Sequence, residues 1–89
     1  MHSGIGQTAE AEQVNWAAIE LLEALPPSRE LALAYRTQAT LRMFSQDTAQ
    51  AIAWGEKAIA LAERFQDYET LAMADNIIGY AQMLLDYEQ

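Results

Sequence analysis

Three features of this 89-residue sequence predict an all-α fold of antiparallel helix hairpins. Helix formers dominate, runs of β-branched residues are missing, and small or apolar residues recur at alternating steps of three and four. The two prolines, Pro26 and Pro27, stand together, where they close one helix and open the connection to the next.

Four helices follow from this punctuation. The first is expected from about Thr8 to Leu25, and residues 1–7 are expected to form a flexible leader, so that residues 8–89 make up the domain. Ser28 is a good N-cap for a second helix, which runs to about Phe44 before the polar break Ser45-Gln46-Asp47. Asp47 or Thr48 caps the third. There Ala51, Gly55, Ala58, Ala62 and Phe65 fall on one stripe, which must be packed. Asp67 caps the fourth, where Leu71, Ala74, Ile78, Ala81 and Leu85 repeat the same steps. Connections of only a few residues force neighbouring helices to lie antiparallel.

The same helix count is compatible with a bundle and with a repeat array, and internal repetition decides between them. Shifted by forty residues, the chain matches itself at 11 of 49 positions. Thr8 falls on Thr48, Ala18 on Ala58, Ile19 on Ile59, Leu21 on Leu61, Leu31 on Leu71, Ala34 on Ala74 and Met43 on Met83, in one register without a gap. The first helix therefore corresponds to the third, and the second to the fourth.

Composition narrows the function classes. Cysteine is absent, which removes disulfides, thiolate nucleophiles and cysteine zinc sites; a reducing cytoplasm fits this and is the expected location. A net charge of −8 repels phosphate backbones and anionic headgroups over roughly a Debye length, about 8 Å at physiological salt. Neither nucleic acid nor membrane is an expected direct partner: mean hydropathy is −0.12 and no apolar run approaches the roughly 20 residues of a membrane span. No nucleophile elbow, phosphate loop or dinucleotide glycine pattern exists, since the four glycines are scattered at Gly4, Gly6, Gly55 and Gly79. His2, the one histidine, sits in the leader and cannot form a metal pair or a catalytic dyad within one chain. Neither an enzyme nor a cofactor is expected.

The stretch Tyr35 to Ile59 resembles a tetratricopeptide repeat. Tyr35 stands at the large aromatic position of the repeat's first helix, Ala39 at its small position and Asp47 at the turn; Ala51-Ile52 and Ala58-Ile59 match the small-apolar pairs of the second helix, and Gly79 occupies the small position in the next copy. The resemblance covers about residues 8–88 and implies a four-helix fragment of an α–α superhelix. Gln38 replaces the usual leucine, Gly55 replaces a usual aromatic, no proline closes the repeat, and the period is forty instead of thirty-four. The longer period, with the phrases at residues 51–58 and 60–67, resembles the sensor arrays of large bacterial ATP-dependent regulators of the LuxR and MalT kind. That resemblance implies a signalling or transcription-regulator segment that binds a protein or peptide.

The resemblance also implies an inner surface lined by the second and fourth helices. It carries Leu33, Arg36, Thr40 and Met43, joined by Met73, Asn76, Tyr80 and Met83. Methionine suits an adaptable groove and equally fills irregular core gaps, so Met43 and Met83 admit both roles. Arg29, Arg36 and Arg42 give residues 29–45 a net charge of +2, either a patch for an acidic peptide or partners for glutamates of adjacent helices. Glu20 with Glu23, and Glu63 with Asp67, are spaced for one helix face, and a solvated face explains them better than acid–base work. Trp16 and Trp54 are core or inter-repeat packing residues, although an exposed Trp54 would be an interface anchor.

The phase of the repeat sets one further expectation. The chain opens on a second-type helix and closes on a first-type helix, leaving apolar surface at both ends. The expectation is a homo-oligomer with Ile78 and Leu85 at its interface, or a sequence that is an excerpt from a longer protein. A structural self-assembly unit without an external ligand is the alternative to the partner-binding module.

Overall fold

The computed structural model describes residues 4–88 and holds four helices, α1 (Gly4–Glu23), α2 (Arg29–Phe44), α3 (Thr48–Arg64) and α4 (Tyr68–Glu88), with no strand among them. The fold is all-α. α1 begins at Gly4 instead of Thr8, so residues 4–7 extend the helix, while His2 lies outside the described residues. It also stops two residues earlier than Leu25, because the Leu25 amide turns back to the Leu22 carbonyl just ahead of the Pro26-Pro27 pair.

The caps fall where their chemistry places them. Ser28 accepts a hydrogen bond from the Leu31 amide at 3.2 Å, Asp47 Oδ1 from the Gln50 amide at 3.3 Å and Asp67 Oδ1 from the Thr70 amide at 3.3 Å. The second and third connections share one design. Gln46 and Gln66 adopt left-handed backbone with φ of 62° and 57°. The following aspartate amides then reach back to carbonyls five residues earlier, Asp47 to Arg42 and Asp67 to Ala62, each at 2.9 Å. Glutamine takes the place that glycine usually fills in this helix-ending motif.

α2 is the centre of the molecule: among the described residues its backbone packs against all three other helices and that of α3 also against α4, while the backbone of α1 approaches α2 alone and reaches α3 through side chains. The extents are 36 × 33 × 18 Å, about two helices thick. The core joins Ile19, Leu31, Ala34, Tyr35, Ala58 and Ala74, with Leu22, Trp54, Ile59 and Leu61 packed around it. Small residues bring α3 and α4 together. A Cβ on Gly55 would lie 2.8 Å from Ile78 Cγ1, so the glycine leaves the notch that Ile78 fills. Ile78 in a helix has essentially one χ1 rotamer and cannot swing away without strain.

That notch corrects one expectation. Ile78 is not at an exposed interface but buried against α3, and Leu85, two turns on along the same face, is half-buried. The apolar stripe they share is the one α4 needs for its own packing.

Gln38, the departure from the repeat pattern, is also explained. It is buried, and its Oε1 accepts from Asn15 Nδ2 at 3.1 Å, while the same amide donates to the Ala34 carbonyl at 3.0 Å. The buried polar group is thus satisfied by a side chain of α1.

Candidate functional site

The residues expected on the inner surface lie along α2 and α4, which pack against one another. Thr40 and Met43 of α2 and Asn76 and Tyr80 of α4 line a single groove of about 550 Å³, together with Phe44, Gln46, Ile77 and Leu84. Its walls are mainly apolar. Phe44 is 72% exposed and Tyr80 55% exposed, so two aromatic side chains face solvent at its rim. The hydroxyl of Thr40 is already occupied, donating to the Arg36 carbonyl at 3.1 Å, which leaves the Asn76 and Gln46 amides and the Tyr80 hydroxyl as polar groups the groove can offer.

Toward the other end of the same two helices, Leu33 and Arg36 border a second depression of about 400 Å³ with Arg29, Asp67, Glu69 and Thr70. Arg36 Nη1 donates to Met73 Sδ at 3.3 Å and ties α2 to α4. Asp67 is held below the usual carboxylate range, chiefly by its hydrogen bonds with Thr70 and further by Arg29 and Arg36. The arginines thus face a carboxylate of the same chain. Arg42 forms a salt bridge with Glu12 of α1, so one of the three arginines of α2 is ion-paired within the chain. Met83, 56% exposed, belongs neither to the core nor to the groove lining, whereas Met43 is half-buried in the groove wall.

The carboxylate pairs have structural partners. Glu23 accepts a 2.6 Å hydrogen bond from the Tyr35 hydroxyl, and Asp67 caps α4, whereas Glu20 and Glu63 are exposed. Burial, then the hydrogen bond and the charge of Glu23, push the Tyr35 hydroxyl up to about 12.

Sequence patterning missed an aromatic cluster on the other side of α2. Trp16 meets Trp54 edge-on with centroids 5.5 Å apart, Tyr35 lies 5.7 Å from Trp54, and the Lys57 ammonium sits over both the Trp54 and Tyr35 rings at 4.8 and 5.3 Å. Both tryptophans therefore pack between α1 and α3. Their spacing of 38 residues is off the forty-residue register, so no repeat signal announced the pair.

No described helix is long and apolar enough to cross a membrane, and among the described residues no three histidine, aspartate or glutamate side chains gather as a metal site would require. Set against protein-family models, curated proteins and solved structures, the chain finds no match.

Proposed function

We propose that the chain is a protein-interaction module, a tetratricopeptide-like segment of a bacterial signalling or transcription regulator in the cytoplasm. Its α2/α4 groove takes an apolar segment of a protein partner. The observation that carries this reading is the convergence of Thr40, Met43, Asn76 and Tyr80 with Phe44, Ile77 and Leu84 on one open groove. Four of these positions follow from the repeat phase alone, and of the four that the structure adds, Phe44, Ile77 and Leu84 are apolar and Gln46 is polar.

The chemistry defines the occupant. A flexible thioether wall beside two exposed aromatic rings accommodates apolar anchors of varied shape, and the Asn76 amide at the rim can fix the main chain of an inserted peptide. Because no arginine lines this groove and Arg42 is paired with Glu12, apolar anchors and not acidic side chains supply the affinity. Tyrosines that a partner covers completely are frequent centres of binding energy, a role open to Tyr80 once an inserted segment buries it.

The test is a peptide-display selection against the chain, followed by titration of an enriched peptide into Tyr80→Ala and Met43→Asp variants. The expected result is selection of peptides with apolar residues spaced three and four apart, and at least about tenfold weaker binding to both variants, or ~1.4 kcal/mol. Selected peptides that bind the variants as tightly as the original chain would place the binding surface elsewhere.

A further inference from the structure

The internal repeat supplies a mould for a second surface. Tyr35 of α2 touches Trp54 of α3, and this contact identifies the facing sides of the two helices. One turn either side of Tyr35 lie Ala32 and Ala39; one turn either side of Trp54 lie Ala51 and Ala58; all four alanines are 0% exposed. Moved by the forty-residue register, the α2 side becomes Ala72, Asp75 and Gly79 of α4, and the α3 side becomes Ala11, Val14 and Ala18 of α1, continuing to Leu21 and Leu25.

Both transposed faces are open. A Cβ at Gly79 would meet nothing within 4 Å, where its counterpart Ala39 is sealed, and Ala72 is exposed where Ala32 is sealed. On α1, Val14 is 71% exposed and Leu21 68%, and Leu25, two residues past the helix, 55%; the counterparts Trp54, Leu61 and Phe65 are all at least half-buried. The molecule thus displays, exposed on its two outer helices, the small-residue frame of an interface that it already builds once between α2 and α3, with Asp75 and Val14 in place of the Tyr35–Trp54 contact.

We propose that these halves pair between copies: the Val14–Leu21 face of one molecule's α1 packs on the Ala72–Gly79 face of another's α4, in the way α3 packs on α2. A second copy is the occupant because its α1 carries the same small residues at the same steps as α3, Ala11 for Ala51 and Ala18 for Ala58, with Val14 and Leu21 in place of Trp54 and Leu61. The contact joins two different surfaces, so one copy always leaves an unused α1 face and an unused α4 face. Such a heterologous contact propagates into rings or open chains and does not stop at a dimer. This face adjoins the α2/α4 groove along α4, since Asn76 of the groove lies one turn from both Ala72 and Gly79.

The two faces can be blocked separately. Gly79→Arg places a long cation in the gap on α4, and Leu21→Arg places one in the α1 stripe; each position is exposed, so circular dichroism should return the helical spectrum of the original chain for both. Sedimentation velocity over a concentration series is expected to give masses that grow with concentration for the original 89-residue chain. Each variant alone should stay at 9.9 kDa, because it retains only one of the two complementary faces. An equimolar mixture of the two should give a species of twice that mass and nothing larger, from the intact α1 face of one on the intact α4 face of the other. A monomeric original chain would overturn the proposal, as would a variant that dimerises by itself or a mixture that stays monomeric.

Discussion

Tyr35 shows how much one side chain settles. Its ring is buried between α1 and α3, its hydroxyl reaches Glu23, and Lys57 covers its face. A hydroxyl pushed up in the fold is held neutral there, so its contribution is whole below the unfolded value of 10.0 and is lost as pH rises through about 12. Tyr35→Phe removes the hydrogen bond and the titration together. Urea midpoints are expected to drop by an amount equivalent to about 1 kcal/mol at neutral pH, with the gap to the original chain closing between pH 10 and 12. A gap that stays constant over that range would disconnect the hydroxyl from Glu23. The sequence shows the aromatic and its small companion Ala39; it does not show Glu23, twelve residues away, because that contact depends on where the proline turn delivers α1. Gln38 and Asn15 make the same point, since a polar residue in a core stripe looks like a misfit until its partner on another helix is seen.

At the level of elements, boundaries set by local chemistry were legible and those set by geometry were not. Ser28, Asp47 and Asp67 declare their helices because a side-chain oxygen satisfying a free backbone amide is a matter of a few adjacent residues. The left-handed glutamines are different. Nothing about glutamine favours φ near 60°, yet the dipeptide Gln-Asp recurs twenty residues apart at 46–47 and 66–67, each time ending one helix and starting the next. Left-handed backbone is costly for a residue with a Cβ, whereas glycine adopts it freely at some cost in chain entropy. Gln46→Gly is therefore expected to stabilise the fold by about 0.5–1 kcal/mol, read as a higher denaturant midpoint at unchanged slope. A loss of stability would show that the Gln46 side chain, which borders the α2/α4 groove, is held by contacts stronger than this strain.

On the scale of the whole molecule, charge and apolar surface act against each other. The chain carries −8, and both outer helices are acidic: Glu10, Glu12, Glu20 and Glu23 on α1, Glu69, Asp75 and Asp86 on α4. Copies that stack through those helices bring like charges together, and salt shortens the reach of the repulsion from about 10 Å at 0.1 M to about 3 Å at 1 M. End-to-end association is accordingly expected to tighten as sodium chloride is raised, with larger weight-average mass at the same protein concentration. Association that weakens with salt would mean that ion pairs, and not the Val14–Leu21 stripe, hold the copies together.

The sequence by itself determined that the protein is all-helical, where most helices begin and end, and that its second half repeats its first. These properties rest on periodicity, capping and proline, which act within a few residues or by direct self-comparison. Only the tertiary structure decided which face of each helix is covered. Ile78 and Leu85 looked available for a partner because a stripe at helical spacing does not say what it packs against; the notch at Gly55 draws that stripe inward and leaves Met73, Tyr80 and Met83 outside. An amphipathic helix advertises that it has a face to bury, and the neighbour that buries it is a property of the assembled chain.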